Sequence, residues 1–265
     1  MLILLPPSEG KATAGDGAPL DLAALSLPEM NEARETALEA LEALCSGPEE
    51  TARQVLRISA AQNEAVRRDR EVRTAATLRA ADLYTGMLYG NLRLPELLSG
   101  GSAELTRRSV LIFSGLWGAV GATDPLPPYR LSMGVRLPPI GALGTFWRSR
   151  LAEVLTKSAD GQLVVDCRSS TYAAAFKPSG GTAERTATVR VLRETVSGGV
   201  AKRTVVSHMA KATRGALAHA LLANRVDAGT PAELAEALND LGHPAELTGP
   251  PGRNRPFVLD VVVRA

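Results

Sequence analysis

Residues 1–11 read MLILLPPSEGK, and this stretch places a first strand beside a first candidate site. The apolar run 1–5 has the length and composition of a short buried strand. Pro6 and Pro7 end it, because proline has no amide hydrogen to donate to a neighbouring strand. In open α/β sheets, ligands bind beyond the carboxyl ends of the strands. We therefore expect loop 6–11 to border a ligand site.

Loop 6–11 carries polar residues with useful chemistry. Gly10 lets the backbone approach a ligand closely, and Lys11 supplies an amine that binds phosphate or acts as a nucleophile. Glu9 is a candidate base. The spacing is not that of a Walker P-loop, GxxxxGK[ST]. An idle surface turn is the plain alternative, but two prolines stiffen this loop, which favours a function.

A second predicted strand, 163–167, also ends in polar residues. Asp166 is another candidate base, and the hydroxyl groups that follow it, including that of Ser170, can bind phosphate at the start of a helix. Tyr172 could stack on a base, and Lys177 adds a cation downstream. Hydroxyl-rich strand ends are equally common as ordinary helix N-caps, so both interpretations stay open.

A third candidate site lies where strand 204–207 passes into a predicted helix, 207–224. The basic residues His208, Lys211 and Arg214 recur at i, i+3 and i+6, so they share roughly one face of the first two turns. Cations near a helix N-terminus oppose the helix dipole, which costs stability unless an anion compensates. We therefore favour an anion site over a solvated basic face.

Segment 112–137 reads IFSGLWGAVGATDPLPPYRLSMGVRL, and its glycines and prolines interrupt every regular element. Gly115, Gly118 and Gly121 recur at every third position. Trp117 and other large apolar residues argue against disorder. Loops of this length inside a compact domain are uncommon, and ordered ones usually have a function. We expect an ordered, functional loop here.

The rest of the chain alternates irregularly between helix and strand patterns. Helices are expected at three Ser-x-x-Glu/Gln boxes and two further places: 26–29 (a helix to about 45), 46–49, 59–62, 141–157 and from Thr230. Strands are expected at 110–114, 186–192 and 257–263. No internal repeat or linker divides the chain. We predict one α+β domain, 1–265, in which helices cover a mixed β-sheet.

Composition narrows the class of protein. Hydrophobic residues make up 45% of the chain and charged residues 22%, as in an ordinary soluble domain. The apolar run 1–5 is too short for a signal peptide, and no run reaches the roughly 18 residues of a membrane span, so we expect a cytoplasmic protein without membrane contact. Two cysteines and three histidines show no metal-ligand spacing, so we expect neither a metal nor a cofactor. Cys167 with His208 as nucleophile and base has little support beyond their lying at strand ends.

Charge is distributed unevenly. Residues 1–66 hold 11 acidic and 4 basic residues, whereas the remainder holds 17 acidic and 26 basic residues. Clustered positive charge is typical of a protein with a polyanionic partner. An arginine-rich composition that merely reflects codon usage is an equally weighted alternative.

The chain resembles the YaaA family of peroxide stress proteins in sequence blocks spread over most of its length. The blocks are LILLPPSEGKA at 2–12, DLYTGMLY at 82–89, SGLWG at 114–118, PYRLSMGVRLP at 128–138, FW at 146–147, VVDCRSSTYAAAFKP at 164–178 and VVSHMAKATRGALA at 205–218. The PYRLxMG and YTG blocks are the most specific of these.

The resemblance implies a fold and a function. Family members have an α+β fold with a positively charged cleft and a helix-hairpin-helix-like element, and they bind double-stranded DNA. They protect against hydrogen peroxide by limiting unincorporated iron and the DNA damage it feeds. The matching hairpin-like segment here is 114–118, in which Gly115 and Gly118 would bring backbone amides to phosphates. The matching cleft cations would be Lys11, Arg130, Arg136, Lys177, Lys211 and Arg214.

This chain departs from the family pattern at three positions. Many members carry an acidic pair where Ser170 and Thr171 stand. They often have an aromatic residue at the position of His208, and two adjacent lysines where Lys211 precedes Ala212. These departures put any chemistry of the acidic pair in doubt and imply weaker DNA affinity.

The sequence therefore predicts a cytoplasmic DNA-binding protein of the peroxide stress response. The alternative is an enzyme acting on a nucleotide, a damaged base or another small anionic metabolite in the same cleft, with Lys11 as nucleophile or general acid and Glu9 or Asp166 as base. The residues expected to bind DNA or an anion are Lys11, Gly115, Gly118, Tyr129, Arg130, Arg136, Ser170, Tyr172, Lys177, His208, Lys211 and Arg214. A deep pocket with a strongly lowered Lys11 pKa favours the enzyme, and a shallow groove with Lys11 solvated favours DNA binding.

Overall fold

An eight-stranded mixed sheet organises the fold in the computed structural model, which describes residues 1–197, 200–205, 208–249 and 254–264. Two further sheets have two strands each. Within the described ranges the strands, in chain order, are β1 (Leu2–Leu5), β2 (Leu78–Arg79), β3 (Val110–Ser114), β4 (Gly118–Gly121), β5 (Pro125–Leu126), β6 (Arg136–Leu137), β7 (Gly141–Ala142), β8 (Val164–Asp166), β9 (Thr186–Ser197), β10 (Val200–Val205), β11 (Ala245–Thr248) and β12 (Phe257–Arg264).

The large sheet has the strand order β11-β12-β9-β8-β1-β3-β4, with β10 also paired to β9. Its centre is parallel: β1 pairs with β3 and β8, β8 with β9, and β9 with β12. Strands β4, β10 and β11 are antiparallel to their neighbours. Since parallel strands end at the same edge of a sheet, the loops that follow β1, β3 and β8 all lie at the carboxyl edge of this sheet.

Strand β1 lies in the middle of this sheet, where Ile3 is opposite Val110 on one side and Val165 on the other. All four of its residues are buried. Strands covered on both faces read as continuous apolar runs rather than alternating ones, which explains the sequence LILL. The predicted mixed sheet with helices around it is confirmed.

The described helices, in chain order, are α1 (Asn31–Ser46), α2 (Glu49–Leu56), α3 (Asn63–Arg70), α4 (Ala80–Leu83), α5 (Met87–Leu92), α6 (Leu94–Ser99), α7 (Ala103–Ser109), α8 (Leu143–Ser158), α9 (Ser170–Ala173), α10 (Gly180–Glu184), α11 (His208–Ala223) and α12 (Pro231–Asp240). Helices α1, α8 and α11 confirm the predicted ones with shifted ends. Among the described residues, no helix has both the length and the apolar character needed to cross a bilayer. Ser207, which the pattern places at the N-cap of α11, lies outside the described residues.

Two of the predicted helix caps are wrong. A short 3-10 turn, Pro28–Met30, precedes α1, and its N-cap residue Leu27 makes no side-chain cap. The hydroxyl of Ser26 instead donates to Asp124 Oδ1 at 2.6 Å. Pro48, not Ser46, is the N-cap residue of α2.

The other two predicted caps are confirmed. Ser59 and Gln62 form a capping box ahead of α3. The Thr230 hydroxyl accepts a hydrogen bond from the Glu233 amide and caps α12. Ser59 and Thr230 are both exposed, so the local sequence pattern is enough to determine these two caps.

Segment 114–118 is a buried β-hairpin turn and not part of a helix-hairpin-helix-like element. Ser114 pairs with Gly118 across antiparallel strands β3 and β4. Both predicted phosphate-binding glycines are buried. A Cβ atom on Gly115 would lie 2.6 Å from the Leu131 carbonyl oxygen, and one on Gly118 would lie 2.7 Å from the Trp147 ring. Close packing therefore requires glycine at both positions, and both residues are buried.

Candidate functional site

Loop 6–11 separates two adjoining cavities at the carboxyl edge of the sheet. The first, here called the Lys11 cavity, has a volume of about 270 Å³ and is lined by Glu9, Gly10, Lys11, Gln62, Glu64, Ala65, Arg68, Tyr129 and Arg130. The second, the Lys211 cavity, has a volume of about 410 Å³ and is lined by Pro6–Gly10, Gly86–Leu88, Ser132, Ser169, Thr171, Tyr172, Lys211 and Arg214. Glu9 and Gly10 form a wall of both.

Backbone hydrogen bonds fix Lys11 between the cavities. It forms an antiparallel bridge with Tyr84, in the segment that follows α4. The Ala12 amide donates to the Leu83 carbonyl at 2.9 Å, and the Thr85 amide donates to the Gly10 carbonyl at 3.1 Å. These hydrogen bonds hold the backbone on either side of Lys11 against the segment that follows α4. They therefore fix the point from which the Lys11 side chain extends.

The amine of Lys11 lies in unusual surroundings. Its Nζ donates to the Ser8 carbonyl at 2.8 Å and lies 4.5 Å from the centre of the Tyr129 ring and 5.5 Å from that of Tyr84. No ion pair joins it to a carboxylate among the described residues. Burial, with a smaller contribution from Arg130, lowers the Lys11 pKa from 10.5 to about 8. About half of the amines are therefore neutral near pH 8.

Tyr129 presents its ring rather than its hydroxyl to the cavity. Its hydroxyl shares hydrogen bonds with Tyr84 OH at 2.9 Å and Ser114 Oγ at 2.6 Å. Ser114 Oγ also accepts the Trp117 amide at 3.0 Å, which ties the network to the β3–β4 turn. With 2% of its surface exposed and its hydroxyl already bonded, Tyr129 has no free polar group to offer an anion, which disfavours the anion-binding role predicted for it.

Asp69 is a member of the site that the sequence does not reveal. It lies in the last turn of α3 and is fully buried. Its Oδ1 accepts the Arg130 amide at 2.7 Å, and its Oδ2 has no hydrogen-bond partner. Burial raises the Asp69 pKa to about 8, against the opposing effects of the Arg130 amide and of Lys11. In the sequence, Asp69 lies between Arg68 and Arg70, a pattern typical of a solvent-exposed helix face. The sequence therefore gives no indication that Asp69 is buried.

Glu9 is held by Arg130 at the edge of the Lys11 cavity. The Arg130 Nη2 atom lies 2.6 Å from Glu9 Oε2, and its Nη1 donates to the Glu9 carbonyl at 3.3 Å. Glu9 is exposed, and its carboxylate is already paired. The Glu9 carboxylate is therefore engaged by Arg130, whereas Asp69 keeps one carboxyl oxygen without a partner.

Asp166 does not act at either cavity. Its two carboxylate oxygens accept from Arg168 Nε at 2.8 Å and Nη2 at 2.6 Å. Arg168 also donates to the Phe176 carbonyl and lies over the Phe113 ring. The ion pair is therefore buried, and both partners are held by hydrogen bonds. The ion pair engages both carboxylate oxygens, which disfavours the predicted role of Asp166 as a base.

The Lys211 cavity combines cations with hydroxyl groups. Lys211 and Arg214 reach it from α11. Arg214 Nη2 donates to the Val189 carbonyl at 3.1 Å, while its buried Nε has no partner. Tyr172 also lines this cavity; burial raises its pKa, and hydrogen bonds with Ser132 and the Met133 amide oppose the shift. The side chain of His208 lies outside the described residues.

Four other predicted residues do not line either cavity. Arg136, Ser170 and Lys177 are exposed on the surface and line neither cavity. Cys167 is buried, which raises the pKa of its thiol to about 12 and removes it as a nucleophile at neutral pH. Within the described ranges, no cluster of three or more His, Cys, Asp or Glu side chains is arranged to hold a metal ion.

The fold and the site define a single-domain α/β protein with a lysine amine in an arginine-lined cavity beyond the carboxyl ends of parallel strands. A family model described as peroxide stress protein YaaA matches residues 1–244. The chain therefore belongs to the family of peroxide stress protein YaaA, as its sequence blocks predict.

Full-length relatives share this assignment. A UPF0246 protein of Streptomyces coelicolor is 50% identical over 263 residues, which cover 99% of this chain and 98% of the relative. A UPF0246 protein of Corynebacterium efficiens is 38% identical over 265 residues, with 98% and 100% coverage. One of Corynebacterium glutamicum strain R is 36% identical over 267 residues, with 99% and 100% coverage.

Proposed function

We propose that this protein is a cytoplasmic enzyme of the peroxide stress response that acts on a small anionic metabolite, with the Lys11 amine as nucleophile or general acid. The observation that carries the proposal is the half-buried amine, which faces an aromatic ring and has a pKa of about 8. Lysines become nucleophiles when they are desolvated or placed beside another cation, because the neutral amine is the reactive form.

The dimensions and charge of the Lys11 cavity support a small ligand. Its volume of about 270 Å³ is close to the lower end of small-molecule sites. Arg68 and Arg130 line it together with Lys11, and guanidinium groups bind carboxylates and phosphates through paired hydrogen bonds. An anion would also compete with Glu9 for Arg130, so ligand binding and release of this ion pair are expected to be coupled.

Anion binding tests this proposal directly. Isothermal titration with inorganic phosphate, nucleoside monophosphates and sugar phosphates is expected to give binding to at least one of them. Arg130→Ala is expected to weaken that binding by about tenfold or more, since a charge-assisted hydrogen bond contributes about 1.5–3 kcal/mol. The matched control is Arg148→Ala, an exposed arginine on α8 that lines neither cavity. If no anion binds, or if both variants bind equally, the proposal fails.

A second candidate function is binding of double-stranded DNA in the same stress response, where it would limit iron-fed damage. Its support is the placement of cations on both sides of loop 6–11, Arg68 and Arg130 on one side and Lys211 and Arg214 on the other. Phosphate contacts make affinity depend steeply on salt.

Fluorescence anisotropy of a labelled duplex at several salt concentrations tests the DNA candidate. Lys211→Ala is expected to weaken binding on every sequence and to reduce the slope of log affinity against log salt by about 1. Lys157→Ala, an exposed lysine on α8, serves as the control and leaves the slope unchanged. An unchanged slope in Lys211→Ala, or absence of binding at low salt, argues against DNA as the partner.

A further inference from the structure

We propose that Lys11 forms a Schiff base with an anionic aldehyde or ketone, and that Asp69 supplies the proton that this step requires. The inference rests on the proposed function and names its substrate class. Its basis is a cavity lined by two arginines and by an amine that has no ion pair among the described residues, together with a buried carboxyl group nearby that has a free oxygen.

The first observation is the choice of reactive groups around the cavity. No serine, cysteine or histidine side chain is among the residues that line it. The only lining hydroxyl, that of Tyr129, is already bound to Ser114 and Tyr84. Apart from the carboxylates of Glu9 and Glu64, Lys11 is therefore the lining group able to form a bond with a substrate carbon. A neutral primary amine adds readily to an aldehyde or ketone carbonyl.

The second observation, independent of the first, is the free oxygen of Asp69. This carboxyl group is fully buried, and only its Oδ1 is hydrogen-bonded, to the Arg130 amide. A buried acceptor without a partner costs free energy, and such groups persist where they have a function or bind a water molecule. Arg130, whose amide binds Asp69, also lines the Lys11 cavity, and the Asp69 carboxyl is close enough to the Lys11 amine for their charges to interact.

The proposed step balances with these groups. The lone pair of the neutral Lys11 amine attacks the carbonyl carbon, a C–N bond forms, and the carbonyl π electrons move to oxygen. One amine proton passes to that oxygen and gives a carbinolamine. Asp69, starting as the carboxylic acid, then donates its proton, directly or through one water, so that the hydroxyl leaves as water. The products are a protonated Schiff base on Lys11, the Asp69 carboxylate and one molecule of water.

The starting state requires a neutral amine and a protonated carboxyl together. Lys11 and Asp69 both have a pKa of about 8, so this state is most populated near that pH. The other charged or titratable groups that act on the pair are Glu9, Cys45, Arg68 and Arg130. Burial of the thiol raises the Cys45 pKa to about 12, so it does not titrate in this range. The rate of Schiff base formation is therefore expected to follow a bell-shaped pH profile with its maximum near pH 8.

Pyridoxal 5′-phosphate is a suitable probe, because it is an anionic aldehyde whose imine is coloured and is reduced irreversibly by borohydride. The chain has five lysines, Lys11, Lys157, Lys177, Lys202 and Lys211, so peptide mass spectrometry can assign the reduced adduct to one position. Near pH 8 the neutral fraction of Lys11 is about 100 times that of an ordinary lysine. We expect the label on Lys11 to exceed that on each exposed lysine by about tenfold or more, and to fall when pyridoxal, which lacks the phosphate, replaces the probe.

Variants separate the two residues. Lys11→Met is expected to lose the label while still folding, since the Tyr129 ring accepts an apolar side chain. Asp69→Asn keeps an oxygen for the Arg130 amide, and circular dichroism checks its fold. It is expected to react at least about tenfold more slowly and to lose the alkaline limb of the pH profile, because an amide cannot ionise. An unchanged profile in Asp69→Asn overturns the role of Asp69, since a merely structural residue would leave the limb intact.

Two results overturn the Schiff base, and they bear differently on the proposed function. If phosphate anions bind in an Arg130-dependent manner but borohydride traps nothing on Lys11, the Schiff base is wrong and a general-acid role for Lys11 stands. If neither anion binding nor trapping occurs, both the inference and the proposed function are wrong.

Discussion

The amine of Lys11 lies 4.5 Å from the centre of the Tyr129 ring, whose hydroxyl is held by Ser114 and Tyr84. These hydrogen bonds fix the face of the ring toward the amine. An aromatic face attracts an ammonium ion by about 0.5–2 kcal/mol, which offsets only part of the water lost on burial. The lowered Lys11 pKa is the net result of these two opposing effects.

Tyr129→Leu is expected to raise the neutral fraction of the Lys11 amine near neutral pH about two- to tenfold, since the ring no longer attracts the ammonium form. The pH dependence of Lys11 acylation, followed by peptide mass spectrometry, measures this fraction. Tyr129→Phe is the control: it keeps the ring and loses about 1 kcal/mol of stability because Ser114 and Tyr84 lose their shared partner. A smaller neutral fraction in Tyr129→Leu would show that the ring does not stabilise the ammonium form.

Buried Asp69 is expected to destabilise the protein as the pH rises. Burial raises its pKa from 3.8 to about 8, so between these values the folded state keeps a proton that the unfolded state has lost. The free energy of unfolding therefore falls with increasing pH across this window, by at most about 1.4 kcal/mol per unit. Asp69→Asn cannot ionise and is expected to lack this part of the fall, as urea denaturation at a series of pH values will measure.

Lys11 contributes in the opposite sense at higher pH. Its pKa is lowered from 10.5 to about 8, so between these values the folded state has lost a proton that the unfolded state still holds. Its contribution to stability therefore recovers as the pH rises through this window.

Asp16→Asn, at an exposed position, is the control for Asp69→Asn and leaves the pH dependence unchanged. If the free energy of unfolding of wild type and of Asp69→Asn changed in parallel with pH, this would contradict the burial of an incompletely bonded Asp69 carboxyl.

Arg168→Ala is expected to cost about 3–5 kcal/mol, because it leaves the Asp166 carboxylate buried without its partner. Arg79→Ala removes an exposed ion pair with Asp82 and is expected to cost no more than about 1 kcal/mol. Urea denaturation of the two variants compares them. Equal costs would mean that the Asp166 pair is not buried as described, and would restore Asp166 as a candidate base.

Gly118→Ala tests whether 114–118 is a tightly packed hairpin turn. Gly118 has a φ of +73°, and an added Cβ would lie 2.7 Å from the Trp147 ring. Gly161 has a φ of +68° but open space around it. Gly161→Ala is expected to cost about 1 kcal/mol from backbone strain alone. Gly118→Ala should cost about 1–3 kcal/mol more, and equal thermal stabilities of the two variants would argue against the hairpin.

Strands β1, β3 and β8 were predictable because each is a short apolar run that ends at a proline, a glycine or a polar cluster. That loop 6–11 borders a cavity was predictable as well, since it follows β1 directly. The failures arise where a distant residue intervenes. Ser26 cannot cap a helix because Asp124, 98 positions away, accepts its hydroxyl. The glycines of 114–118 suit a phosphate loop and a tight hairpin equally, and only tertiary packing distinguishes them, against the Leu131 carbonyl at Gly115 and the Trp147 ring at Gly118.

The site itself was partly predictable. Lys11, Arg130, Lys211 and Arg214 do reach the carboxyl edge of the sheet, but in two cavities rather than one. Asp69 could not be found from sequence, because its interest lies in its burial and in its unbonded oxygen, and both are tertiary properties.

The central claim is that the Lys11 amine has a lowered pKa, and an NMR titration of lysine side-chain resonances tests it most directly. With five lysines in the chain, the spectrum is small enough for Lys11→Arg to assign the Lys11 signal. The account predicts a Lys11 midpoint near pH 8, below the usual lysine value of about 10.4. A Lys11 midpoint at that usual value would contradict it, and the amine would then be one surface cation among several.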